Sequence, residues 1–291
     1  MSKSICFVLS FLLVPLVTQG WGFQAHKKIN RLAVFTLPKG LFAFYKAHVD
    51  EITEWAVKAD QRKSVVKGEA PKHYCDLDHY EKVLPFDTVP VYWENAISKY
   101  SLDTLEEYGT NPWNSQFVYQ KLIAAFEQKN EEQIVKISAD LGHYLADIHV
   151  PLHSTLNYDG QLSGQRGIHS LWETKLVKHF VDDYNLLVGK AQYIKHIPEK
   201  IWERQAQSFA LVDSVLYLEK LVSKNIGARG KYQIEKNGSQ TRKYYSNVFC
   251  EAYHNVLNGM VERRMRHSIE FVGAVWYSAW VDAGKPKLDV Y

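Results

Sequence analysis

Cysteine is scarce, with three in 291 residues, and Cys6 falls inside an apolar leader. Only Cys75 and Cys250 remain, which excludes a disulfide-rich scaffold. One bridge and two buried free thiols both fit, because separation along the chain says nothing about Cα distance. A strong charge excess is also missing. Lysine and arginine number 35 against 32 acidic residues, +3 overall, and removing a leader that carries only Lys3 leaves +2. That balance argues against a protein that grips duplex nucleic acid through many phosphate contacts. The one dense basic cluster, Arg263, Arg264 and Arg266, reads as a solvated helix face. After the leader no apolar run reaches the roughly 20 residues of a membrane span. No linker rich in Pro, Gly or Ser divides the chain, and no repeat of about 20 to 50 residues is visible. Strand-like alternation is rare.

What is present is apolar and helical. With 46% AVILMFWYC and 23% charged residues, disorder is excluded for most of the chain. The 13 Phe, 8 Trp and 18 Tyr suit a thick helical core and a surface that stacks bases or meets lipid. Lys3, the apolar run Ile5 to Val17 and the small or polar stretch Val17-Thr18-Gln19-Gly20 read as an export signal rather than an anchor. Cleavage after Gly20 makes residues 1–20 a signal peptide and Trp21 the first residue of a secreted or periplasmic domain, 21–291. Stripes at helical spacing run through Ile29, Leu32, Ala33 and Phe35, through Leu122, Ile123 and Phe126, and through Ile134, Ile137, Leu141, Tyr144, Leu145 and Ile148. Further helices are expected near 40–57, 90–99, 168–182, 198–226 and 241–270, with loops at 61–88, 108–114, 154–167 and 227–240. The fold class is all-α, a single multi-helix domain.

Histidines and carboxylates recur at one-turn spacing. His143 and Asp147 stand at i, i+4, which puts both heads on one helix face within reach of a single metal ion. Pro151 then turns the chain, so His153 can face the same pocket. After a loop whose Gly160, Gly164 and Gly167 admit unusual backbone angles, His169 and Glu173 repeat the spacing. One such pair is ordinarily a solvated face; two pairs that bracket His153 are a metal-binding pattern. Asp60 and His73 lie upstream, and His26 follows Trp21 by five residues. A free Trp21 would offer its amino nitrogen and carbonyl oxygen as a chelate. His149 reads as a hydrogen-bond partner or helix-end residue, and the stretch Trp276 to Trp280 as a packed helix end.

These residues resemble the superfamily that joins bacterial zinc-dependent phospholipase C with fungal and plant single-strand-specific zinc nucleases. The matching elements are Trp21-Gly22 with His26, Asp60, His73, the segment His143 to His153, and His169-Ser170-Leu171-Trp172-Glu173, spanning residues 21 to about 175. The resemblance implies an all-helical fold with three zinc ions in a cleft. On it, Asp60, His73, His143 and Asp147 hold one zinc and His153, His169 and Glu173 a second. The Trp21 backbone groups, His26 and a bridging Asp147 hold the third. Asp60 would orient or deprotonate the attacking water. Lys63 or Arg62 would reach the phosphate, although a solvated surface position is the simpler reading for both.

Glu173 resembles the phospholipase branch, whose last claw ends in Glu, whereas the Trp21 to His26 spacing resembles the nucleases. A Gly-Gly-Asn element often found in the nuclease loop is missing between Asn157 and Gln165. The sequence therefore leans to a phospholipase C-like phosphodiesterase acting on a phospholipid or other small phosphodiester. A nuclease acting on single-stranded nucleic acid would be favoured by stacking aromatics in the cleft. A zinc-stabilised, non-catalytic binding module would require closed metal positions.

Overall fold

The computed structural model describes residues 22–288 except 83, 85, 238 and 239, so Trp21 and the leader 1–20 lie outside the described residues. Four helices carry most of the core: Phe23–Val34, Asn111–Glu127, Glu131–Asp147 and Met260–Asp282 pack against one another. The Glu131–Asp147 helix starts where the Asn130 side chain accepts the Gln133 N–H at 3.1 Å. Glu131 and Glu132 in its first turn complement the positive end of the helix dipole. Its buried stripe Ile134, Val135 and Ser138 widens until every residue from Leu141 to Asp147 is buried. His143 and Asp147 are therefore polar groups at the centre of the molecule, each 0% exposed.

Polar bonds lock the neighbouring helices onto this one. Trp276 donates its indole N–H to Ser138 O at 3.0 Å, Tyr45 and Ser138 share a hydroxyl bond at 2.7 Å, and Asn30 donates to Ala139 O at 3.0 Å. Asn30 is one turn after His26 on the buried face of its helix. Gly142 leaves room for it: a Cβ there would lie 2.3 Å from Asn30 Oδ1. Gly142→Ala is expected to cost about 1 to 3 kcal/mol, the usual range for overpacking a dense core. A Tm fall of several degrees checks it, and an unchanged Tm would refute the close approach. A second, smaller core gathers Cys75, Leu77, Leu105, Trp113 and Trp202.

The all-α class holds, with departures at the ends of elements. The stretch 40–57 is broken at His48 into Lys39–Ala47 and Val49–Trp55, and 198–226 is split between Ile197–Phe209 and Val212–Lys231. The expected loop 61–88 carries a 3₁₀ turn, Ala70–His73, and a short helix, Leu77–Tyr80. A larger correction concerns 227–240, expected as a loop, and the start of 241–270, expected as helix. Tyr232–Asn237 and Gln240–Tyr245 form an antiparallel hairpin in which Tyr232 pairs with Tyr245 and Ile234 with Lys243. Tyr232, Ile234 and the Tyr244-Tyr245 pair supply the β-formers. Helix resumes as Asn247–Val256 and, after Asn258 and Gly259 at positive φ, as Met260–Asp282.

Of the two alternatives for the cysteines, the structure has buried free thiols at Cys75 and Cys250, with no bridge between them. One reading of surface chemistry changes. Arg264 is only 4% exposed and donates Nε to His149 O at 2.9 Å and a further N–H to Ser208 Oγ. Arg266 is tied to the carbonyls of Asn185 and Leu187. Arg264 and Arg266 thus tie helices and connections together, whereas Arg263 is exposed and bonds the nearby Asn258 carbonyl. No helix among the described residues is long and apolar enough to cross a membrane.

Candidate metal centre

The structure places eight of the nine residues picked out in the sequence around one buried region. His26 comes from the first turn of its helix, Asp60 from the short helix Lys58–Arg62, and His73 from the end of the 3₁₀ turn. His143 and Asp147 come from the central helix, and His153 from the 3₁₀ turn Pro151–Ser154 that follows it. His169 lies in Ile168–Ser170 and Glu173 in a π-turn, Leu171–Lys175, where one turn of regular α-helix was expected. Such turns hold one extra residue per turn and recur at functional sites. Trp21, the ninth, lies outside the described residues, but Gly22 N–H donates to Glu173 O at 3.4 Å. The chain therefore enters its first helix beside the second claw.

Asp147 is the hub. Its Oδ2 lies 2.9 Å from His73 Nδ1 and 3.3 Å from His143 Nε2, and its Oδ1 lies 3.4 Å from His26 Nε2 and 3.8 Å from His153 Nδ1. Asp60 Oδ1 is 3.7 Å from His143 Nε2 and 3.9 Å from His73 Nδ1, and the His26 ring stacks on His143 at 3.8 Å. In the second group His153 Nε2 and His169 Nε2 are 3.1 Å apart, with Glu173 Oε2 at 3.4 and 3.1 Å.

Backbone carbonyls fix which ring nitrogens point inward. His143 donates Nδ1–H to Ala56 O at 2.7 Å, His153 to His73 O at 2.6 Å and His169 to Tyr158 O at 3.0 Å. Each ring is then oriented with Nε2 facing the cluster, the outer-shell arrangement typical of ligating histidine. Both His26 nitrogens, Asp60 Oδ2, Asp147 Oδ1 and both Glu173 oxygens are buried without a hydrogen-bond partner. Converging acceptors need a shared positive charge. A proton serves one pair at a time, whereas a divalent ion between His153, His169 and Glu173 serves all three. The mixed imidazole and carboxylate donor set therefore fits zinc.

Electrostatics follow from burial against neighbours. Burial alone would raise Asp147, yet His143 and His153 hold it well below the usual carboxylate range. Asp60 is likewise lowered, with His143 and then Lys63 outweighing desolvation. Burial, reinforced by His143, depresses His26 to about 4, so it presents a neutral imidazole at ordinary pH.

His73, His153 and His169 bring the edge of the two groups to a cleft of about 230 Å³ that Lys63, Tyr74, Asp76 and Tyr158 also line. Lys63 corrects the sequence reading: it is largely buried, with Nζ 2.7 Å from Asp60 Oδ1, and not a solvated surface position. Its spacing of three from Asp60 on one helical turn was the available signal. Arg62 turns away to Asp140 and Glu69. His149 is not in the cluster; it donates Nδ1–H to Leu145 O at 2.8 Å and packs near Phe271. Asp76, not singled out in the sequence, is 6% exposed, and burial, with Asp78 beside it, pushes its carboxyl up to about 8.

No protein-family model and no curated protein matches this chain. Among solved structures, the alpha toxin of Clostridium absonum aligns with 92% of this chain at 10% identity and a TM-score of 0.50. The Clostridium perfringens alpha-toxin from avian strain SWCP aligns with 93% at 11% identity and a TM-score of 0.51. This chain covers 65% of either toxin chain. The likeness establishes the fold: the all-α arrangement is one these toxins share.

Proposed function

We propose that this protein is an exported, zinc-dependent phosphodiester hydrolase of the phospholipase C type. The observation that carries the reading is the convergence of eight His, Asp and Glu side chains, with buried unpartnered acceptor atoms, of which His73, His153 and His169 line a cleft. A fold shared with alpha-toxin, a phospholipase C fold, supports the same class. Asp60, His73, His143 and Asp147 would hold one zinc and His153, His169 and Glu173 another. His26, Asp147 and the backbone groups of Trp21, freed by removal of residues 1–20, would hold a third. Zinc in those positions supplies positive charge to phosphate oxygens and acidifies water from about 15.7 toward roughly 7.

The chain's own groups then divide the work. Asp60, held ionised by His143 and Lys63, accepts the proton of the attacking water. Lys63, kept cationic by Asp60 and Asp147 against the cost of burial, faces the cleft and balances charge that builds on the phosphate. The carbonyls of Ala56, His73 and Tyr158 hold the imidazoles so that little reorganisation accompanies reaction. A cleft open to solvent also argues for an enzyme over a closed structural site.

A second reading, a single-strand nuclease, is favoured by the cleft wall. Tyr74 and Tyr158 supply aromatic faces there, and Asp76 lines the same wall with a carboxyl pushed up to about 8, its Oδ1 sealed from solvent. The deciding experiment gives zinc-loaded protein mixed micelles of phosphatidylcholine, single-stranded DNA and bis-p-nitrophenyl phosphate. Lipid hydrolysis above DNA hydrolysis is expected, and chelation should abolish both. Rapid release of mononucleotides with no lipid turnover would transfer the assignment to the nuclease. Asp76→Ala should then slow DNA cleavage by roughly tenfold or more, the scale of one base contact, and spare the chromogenic ester.

A further inference from the structure

Between positions 220 and 243 the chain holds seven basic residues and one acidic, a net of +6 against +3 for the whole sequence. They are Lys220, Lys224, Arg229, Lys231, Lys236, Arg242 and Lys243, opposed by Glu235. The rest of the molecule is therefore slightly acidic, and the positive charge is concentrated on the Val212–Lys231 helix, interrupted at Gly227, and the hairpin after it, with Lys231 drawn in to buried Glu219. Because the charges spread over 24 positions, no short window of the sequence looks dense.

Apolar side chains stand among them. On the Val212–Lys231 helix, Val215, Glu219 and Val222 face inward. Tyr217, 65% exposed, and Leu221, 37% exposed, lie one turn apart, and Lys224 continues the stripe outward. Ile234 on the first hairpin strand is 72% exposed, and its cross-strand partner is Lys243. Hydrogen bonds tie this surface to the loop that walls the cleft. Gln165 donates to Leu216 O at 2.7 Å, Lys175 donates to Tyr245 O at 2.7 Å, and the 154–167 loop so anchored carries Leu162, 72% exposed, and the cleft residue Tyr158. Buried Glu219, bonded to Gln165, Tyr245 and Lys231, ties loop, hairpin and helix into one unit.

We propose that this basic and apolar face docks the protein onto an anionic phospholipid bilayer, bringing the cleft to the lipid headgroups. The choice of partner rests on the phospholipid reading of the cleft. Lysines and arginines gather anionic lipid within a Debye length, and exposed Tyr, Leu and Ile side chains enter the interface. Nucleic acid would use the same charge but has no use for exposed Leu162, Leu221 and Ile234, so a bilayer fits the surface better.

The test separates docking from catalysis. In chelator, so that no substrate turns over, the full-length mature protein is sedimented with vesicles of phosphatidylcholine alone or with about one quarter phosphatidylserine. Binding to the anionic vesicles is expected to be at least about tenfold tighter at low salt and to weaken as salt rises. The triple variant Lys220→Glu, Lys224→Glu, Lys243→Glu should lose roughly 10²-fold in partition coefficient. Ile234→Asp should weaken binding as well. Both variants should keep the circular dichroism spectrum and the turnover of soluble bis-p-nitrophenyl phosphate when zinc-loaded, because none of these residues is in the cleft. Equal binding of the parent protein to both vesicles, or a triple variant that binds as the parent does, overturns the proposal. A triple variant that loses single-stranded DNA binding and keeps vesicle binding assigns the face to nucleic acid instead. Absence of turnover in the parent protein would count against the hydrolase reading and leave the vesicle result to stand by itself.

Discussion

Asp147→Ala is expected to remove most bound zinc and to lower turnover of a soluble phosphodiester by on the order of 10³-fold or more, about 4 kcal/mol of barrier. The reason is geometric. The carboxylate lies 2.9 to 3.8 Å from ring nitrogens of His73, His143, His26 and His153, so its loss takes the shared anion from two of the three proposed metal positions. Four buried imidazoles would then lose their common carboxylate, leaving Asp60 beside His143 and His73 and Glu173 beside His153. Breaking a buried ionic cluster in this way typically costs roughly 3 to 5 kcal/mol of stability as well. Glu173→Asp is the contrasting variant. It keeps the charge, shortens one arm by a methylene and touches only the His153 and His169 group, so a loss of about 10- to 100-fold is expected, the scale of a disturbed ligand shell. Metal analysis, steady-state rates and Tm on the two proteins decide the matter. Full metal content and parental turnover in Asp147→Ala would remove the hub role altogether.

The helical core was legible because its signals are local. The stripe Ile134 to Ile148 runs at a helical period, and an i, i+4 pair inside a helix fixes the distance between its heads whatever the rest of the chain does. His143 with Asp147 and His169 with Glu173 could thus be picked out by spacing. Their convergence with Asp60 and His73 depended on long-range packing, and spacing alone did not contain it. What stayed hidden was set by environment. Lys63 looks like one more surface lysine until Asp60 draws it inward, and Asp76 is an ordinary acid until burial raises its carboxyl. Arg264 reads as solvent-facing because its acceptors, His149 O and Ser208 Oγ, are 115 and 56 residues away. The hairpin was missed for a different reason: its strands are six residues each, with alternation only at Tyr232 and Ile234 and none in Gln240–Tyr245, too little to stand out beside long helices.

Asp60→Asn should separate the two duties given to one side chain. As a ligand, Asp60 would help hold the proposed zinc with His73, His143 and Asp147; as a base, it would take the proton of the attacking water. The amide retains an oxygen and nearly the same volume but cannot accept that proton. Turnover is therefore expected to fall by roughly 10² to 10⁴-fold, the range for loss of a general base, while the ion held by His153, His169 and Glu173 stays, because Asp60 does not reach that group. The substitution also leaves the Lys63 ammonium, 2.7 Å from Asp60 Oδ1, facing a neutral group in a buried place. Its pKa should drop, since desolvation already opposes its charge and Asp60 is the first group that offsets it. The double variant Asp60→Asn, Lys63→Met removes that isolated cation together with its partner. Its Tm should exceed that of Asp60→Asn alone, since discarding both members of a buried pair costs less than discarding one. If Asp60→Asn keeps parental turnover at full zinc loading, proton transfer belongs to another group. If turnover and total zinc fall together to zero, Asp60 acts only as a ligand that the whole cluster needs.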